Sequence, residues 1–222
     1  MSEGEKVISY TQLGKIKLKS GIFGSTRDPS VDLERETTDF INSQKANFNQ
    51  KVSNNFDIDS EEFTKFEFFS LQKRAKKVDD AGDIIDGSKA AFRSESRVTL
   101  LYLKPRSLII FQTSYNFVIT DATSCCGGNG VLYYSGGRNY NLEEIYFNKI
   151  TTVGASHDED TYKVINEGCG SGSEAQYTSE SDGFVIRAGE AFHVFASDKE
   201  TQELKDARKL INDKISETNW CS

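Results

Sequence analysis

The sequence predicts an α+β chain that is mainly antiparallel β: a small barrel or sandwich capped by a C-terminal amphipathic helix and preceded by a strand-plus-helices segment. Three observations carry that prediction. Between Arg97 and Phe195, short runs rich in Val, Ile, Tyr and Phe recur at the spacing of an antiparallel sandwich or barrel. Gly127-Gly-Asn-Gly130 and Gly136-Gly137 supply turn chemistry between such runs. From Leu204 to Ile215 apolar residues return every three or four positions, the period of a helix with one buried face.

Taken in order, Ile16 and Leu18 alternate with Lys15, Lys17 and Lys19, which predicts a half-exposed edge strand within Val7 to Phe23. Gly21 to Glu36 has no period and reads as a loop. Phe40, Ile41, Phe48 and Val52 then share one helical face, giving a helix over Glu36 to Val52 despite Asn42, Asn47 and Asn49, which weaken helix propensity. A second helix is expected from about Ser60 to Val78. Asp59 caps it with Glu62 three residues on, Phe63 and Phe66 lie on its apolar face, and Lys73-Arg-Ala-Lys-Lys77 sits at its C-terminal end.

Asp79 to Ser96 is polar and reads as a connector, dividing an N-terminal segment, residues 1–90, from a β-rich unit, residues 91–222. In that unit Ser107 to Asp121 holds two apolar runs separated by Gln112, Thr113 and Ser114, the pattern of a β-hairpin. Further strands are expected at Arg97–Leu103, Val131–Tyr134, Asn139–Leu142, Lys149–Val153, Thr161–Ile165, Phe184–Ile186 and Ala191–Phe195. Ser197 and Glu200 offer an N-terminal cap for the last helix.

Composition narrows the functions. The 222 residues carry 27 Lys+Arg against 34 Asp+Glu, a net charge of −7, without a dense basic stripe. Affinity for nucleic acid comes mostly from neutralising phosphates, so no nucleic-acid partner is expected. The N-terminus lacks the positive-then-apolar order of a signal peptide and no 18-residue apolar run occurs, so a cytoplasmic protein is expected. Cys125, Cys126, Cys169 and Cys221 do not make a secreted disulfide framework and read as reduced thiols.

From about Val98 to Ser216 the order of features resembles bacterial pleckstrin-homology-like (PH-like) and GRAM-type domains. The resemblance rests on Phe117-Val-Ile-Thr-Asp121, then Val131-Leu-Tyr-Tyr134, Tyr140-Asn-Leu-Glu-Glu-Ile145 and Ile150-Thr-Thr-Val153, followed by the amphipathic helix. It covers a little over half of the chain. It implies six or seven antiparallel strands closed at one end by a single helix, with Leu142 and Ile145 inside while Glu143 and Glu144 stay wet. It also implies a non-enzymatic binding module for phospholipid headgroups, peptides or protein partners. In the phosphoinositide-binding versions a dense Lys/Arg set follows the first strand; Lys104 and Arg106 are the nearest candidates here, and two cations are few for an anionic headgroup on a membrane surface.

The chemistry-bearing motifs are sparse. Vicinal Cys125-Cys126 lack C-x-x-C spacing, and Gly168-Cys-Gly-Ser-Gly-Ser173 lacks the Gly-Lys-Ser/Thr ending of a phosphate loop. His157-Asp-Glu-Asp160 gathers an imidazole and three carboxylates, a candidate divalent-ion group that also reads as a polar turn. Glu174 to Asp182 reads as a hairpin loop, and His193 alternates with Phe192 and Val194 in a strand. The expectation is therefore a binding or scaffolding module that recognises a protein partner, with Lys104, Arg106, Phe63 and Phe66 as binding candidates and no cofactor. A structural component of a larger assembly, such as a virion or secretion particle, and a metal-dependent enzyme built on His157 are the alternatives.

Overall fold

The computed structural model describes residues 14–17, 29–58, 62–77, 90–120, 131–166, 173–195 and 201–220. The elements are β1 (Gly14–Lys17), α1 (Pro29–Ser53), β2 (Thr64–Lys77), β3 (Ala90–Leu103), β4 (Ser107–Thr120), β5 (Val131–Tyr146), a 3-10 turn (Phe147–Lys149), β6 (Thr152–Asn166), β7 (Ser173–Ala188), β8 (Glu190–Phe195) and α2 (Gln202–Trp220). They form an α+β fold of two antiparallel sheets, one in the order β1-β5-β4-β3-β2 and the other β6-β7-β8. No strand pairing joins the two sheets among the described residues, so the architecture is the sandwich and not a closed barrel.

Strand alternation divides the interior into two cores. Leu101, Leu103, Leu108 and Ile110 face one side, where they meet Phe68, Phe184, Ile186, Phe192 and Val194 and the α2 residues Leu204, Ala207 and Ile211. Val98, Leu100, Tyr102, Ile109 and Phe111 face the other side and meet Ile41, Phe48 and Val52 of α1. Successive side chains of a strand point to opposite faces, so β3 and β4 serve both cores at once. The five-stranded sheet is thus a middle layer between α1 and the three-stranded sheet with α2.

β4 is a single 14-residue strand at the centre of its sheet, where a hairpin was expected from Ser107 to Asp121. Two of the polar trio that suggested a turn find partners, one of them in the other sheet. Gln112 Nε2 donates to the His193 carbonyl (2.7 Å) and to Thr99 Oγ1 (3.2 Å), and Thr113 Oγ1 donates to the Asn139 carbonyl (2.8 Å). The second expected helix is also a strand, β2, paired with β3 along its whole length. Its neighbours Phe68 and Phe69 pack into opposite cores, a demand that alternation meets and a single helical stripe does not. The connector expected at Asp79 to Ser96 lies partly outside the described residues; Ala90 onward is already strand β3.

Further boundaries shift for local reasons. α1 begins at Pro29, inside the stretch expected to be a loop, because proline at a helix start lacks only a donor that would have no partner there. Gly136-Gly137 is a bulge inside one long strand, β5, and does not separate two strands. His157-Asp-Glu-Asp160 and Glu174 to Asp182 are paired strand, in β6 and β7, and not turns. α2 is capped by Thr201, whose Oγ1 accepts from the Leu204 amide at 3.2 Å; Ser197 lies outside the described residues. β1 is an edge strand as its lysine alternation predicts, and Leu204, Ala207 and Ile211 form the buried stripe of α2.

Candidate binding site

The C-terminal half of α1 and the turn that follows it present Gln44, Asn47, Lys51 and Asn54 at intervals of three and four residues, the first three on one ridge of a 3.6-residue helix. The neighbouring face drives Ile41, Phe48 and Val52 into the core, which fixes the helix's rotation and turns this ridge toward β5. There the register between β4 and β5 breaks at Thr113/Tyr115, opposite Gly136-Gly137. Both glycines hold positive φ, +116° and +70°, where a side chain is strained. A Cβ on Gly136 would strike the Ser114 carbonyl, and one on Gly137 would strike the Tyr115 hydroxyl.

Ridge and bulge border an open cavity of about 460 Å3, within the ~300–1,000 Å3 range of small-ligand sites. Its apolar wall is aromatic: the Phe40 ring lies 4.3 Å from that of Tyr134 and edge-on to Tyr115 at 5.4 Å. Its polar wall carries the carboxamides of Gln44, Asn47, Gln50 and Asn54 together with Lys51 and Arg138. Lys51 Nζ donates to the Gly137 carbonyl at 3.0 Å and stands 4.6 Å over the Tyr140 ring, so the bulge holds one of the two cations in place. Burial, and then the nearby Tyr134, push the Tyr115 phenol above its ordinary pKa, so at neutral pH it is a neutral hydrogen-bonding group. No carboxylate, histidine or cysteine is among the described residues lining the cavity.

Comparison of the chain with protein-family models, with curated proteins and with solved structures finds no match.

Lys104 and Arg106 sit in the tight turn between β3 and β4, closed by the Lys104 amide donating to the Ser107 carbonyl at 2.9 Å. Lys104 is only 12% exposed and forms an ion pair with Glu144 at 3.3 Å, an oxygen that also accepts from Ser107 Oγ at 2.6 Å. Arg106 is exposed, and its carbonyl accepts from the Phe147 amide. From Ser107 to the bulge at Tyr115 is eight residues of strand, roughly 26 Å, so these cations lie far from the cavity. Phe63 is 36% exposed and lies beside Tyr102, whereas Phe66 stacks on Phe68 against the other core. The two phenylalanines are on opposite faces of the sheet and do not form one surface.

The carboxylates near His157 are divided by strand alternation. His157 Nδ1 pairs with Asp182 Oδ1 across the β6–β7 ladder at 2.8 Å, while Asp158 faces Arg97 at 3.9 Å. The Asp182 hydrogen bond, followed by the Asp182, Glu180 and Glu159 charges, holds the exposed imidazole above its ordinary pKa. Among the described residues no group of three or more His, Cys, Asp or Glu is placed to hold a metal ion. Cys125, Cys126, Cys169, Cys221 and the loop from Gly168 lie outside the described residues, apart from Ser173, which opens β7. Among the described residues no helix is long and apolar enough to cross a membrane.

The ridge and bulge were present in the sequence as the spacing of Gln44, Asn47, Lys51 and Asn54 and as Gly136-Gly137. The asparagines read there as weak helix formers and the glycines as a turn. Only the packing of α1 against β5 joins the two features into one site.

Proposed function

We propose that this protein is a non-enzymatic binding module that recognises a protein partner through the face carrying α1 and the β5 bulge. The observation that carries the reading is the chemistry of the cavity: neutral hydrogen-bonding groups, aromatic ring faces and two cations, with no nucleophile–base pair among its described lining residues. The PH-like resemblance gains support from the strand order. Seven strands in two antiparallel sheets, β2 to β5 and β6 to β8, are followed by one amphipathic helix. A structural component of a larger assembly would bury exposed phenylalanines in the complex; here Phe66 and Phe69 are already packed against the two cores, while Phe63 is exposed.

The test is light scattering on the purified protein with affinity capture and identification of what it retains. A reproducible, saturable protein partner is the expected result. A strictly monomeric protein that retains none and turns over a small substrate overturns the reading.

A further inference from the structure

We propose that the cavity between α1 and the β5 bulge is the receptor for a short, extended, acidic peptide segment. This rests on the reading of the protein as a protein-recognition module and names the chemistry of the segment recognised. Three features select that occupant. The first is local charge. The chain as a whole is at −7, yet the cavity is lined by Lys51 and Arg138 without a described carboxylate. Arg138 is exposed, and its guanidinium carries five N–H donors. A guanidinium matches a carboxylate in a two-bond fork, and Lys51 keeps a further N–H beyond the one given to Gly137.

The second feature is the ridge of carboxamides. An Asn or Gln side chain carries the same donor and acceptor as a peptide group, so a row of them pairs in kind with an extended backbone. From Gln44 to the end of α1 at Ser53 is nine helical steps, about 14 Å, the length of about four residues of extended chain at ~3.3 Å each, and Asn54 follows in the turn. The third feature is the aromatic wall of Phe40, Tyr115 and Tyr134, which takes an apolar side chain beside the acidic one. A polyanion suits the site less well: two cations neutralise little of a phosphate backbone, and the surrounding chain is acidic.

Fluorescence polarisation with three fluorescein-labelled pentapeptide pools tests the proposal: one with Asp and Glu at two positions, one with Asn and Gln there, and one with Lys there. The full chain is expected to bind the acidic pool at least about tenfold more tightly than the amide pool, and the basic pool not at all, the scale of one charge-assisted pair. R138Q and the near-isosteric N47D, which adds a negative charge to the ridge, each lower acidic-pool affinity roughly tenfold. R106Q, with its cation at the distant β3–β4 turn, leaves it unchanged. Thermal melts verify that each variant is folded.

Equal binding of acidic and amide pools, or equal losses in R106Q and R138Q, overturns the proposal. So does co-sedimentation with phosphatidylserine vesicles that R138Q abolishes while no pool binds, since the occupant is then a headgroup. If a captured partner is retained equally by wild type and R138Q, the recognition module stands and this site for it falls.

Discussion

Asn49 ties helix to sheet through one oxygen. Its Oδ1 accepts from Lys65 Nζ and from the Tyr102 hydroxyl, each at 2.7 Å, so α1, β2 and β3 meet at a single acceptor. Burial, then the Glu67 charge, raises the Tyr102 pKa to about 12, so the phenol is a donor at any working pH. Glu67 completes the cluster. Burial opposes its ionisation, but Lys45 at 2.6 Å and Lys65 at 2.5 Å outweigh that and hold its pKa below the ordinary value. N49A removes the acceptor and leaves a buried hydroxyl unpaired, which costs about 1–3 kcal/mol, whereas Y102F removes only a donor and costs about 0.5–1.5 kcal/mol. Urea denaturation checks the order; equal effects would show that Asn49 is not the shared acceptor. His157 gives a pH-dependent counterpart. Its folded pKa is raised, so what the Asp182 pair contributes is fully present below the unfolded histidine value and fades as pH rises through the folded one. An NMR titration of the His157 ring should place its midpoint above 6.5. D182N should bring that midpoint down, with Glu180 and Glu159 supplying the residual upward shift.

The β5 bulge shows how an element can depend on two backbone positions. At Gly136 an added methyl meets the Ser114 carbonyl, which the sheet holds in place; at Gly137 it meets the end of the Tyr115 side chain and no backbone atom among its nearest neighbours. Gly189 also has positive φ, +96°, but a Cβ there meets nothing within 4 Å. The expected order of destabilisation is therefore G136A above G137A above G189A, the last costing about 1 kcal/mol from backbone strain alone and the first several times that. Chemical denaturation of the three variants checks it, and G189A proving the most damaging would refute the steric argument. The same element explains part of what the sequence concealed. Strand β5 reads as two strands because its glycines look like a turn, and β4 reads as two because Gln112 and Thr113 are polar at mid-strand, where their bonds to the His193 and Asn139 carbonyls are non-local. By contrast α2 was legible, since Leu204, Ala207 and Ile211 bury one face of a helix whose opposite face, including Glu203, Lys205 and Lys209, is wet. β2 misled because Phe63 and Phe66 sit three apart, a helical interval. The alternation that places Phe66 and Phe68 on one face and Phe69 on the other needs two cores to be meaningful, and periodicity in one segment does not reveal a second core.

At the scale of the molecule, the two cores share their central strands, and this bears on whether residues 91–222 stand alone. The division expected near residue 90 falls between β2 and β3, which are paired from Thr64↔Leu103 to Lys77↔Ala90. Cutting there removes Ile41, Phe48 and Val52 from above Leu100, Tyr102, Ile109 and Phe111, and removes Phe68 from the opposite core. Burying each such side chain contributes about 1.5–3 kcal/mol, while a whole domain has a net stability of only about 5–15 kcal/mol. Tyr102, Ile109 and Phe111, no more than 1% exposed in the full chain, would face water together with the edge of β3. A fragment spanning 91–222 is therefore expected to lack a cooperative thermal transition, to bind a hydrophobic dye and to associate, while the full chain melts in one transition. Circular dichroism melts and dye fluorescence on the two proteins decide it. A sharp, reversible transition in the fragment would show that β3 to β8 and α2 form a unit by themselves, with α1 and β2 added to it.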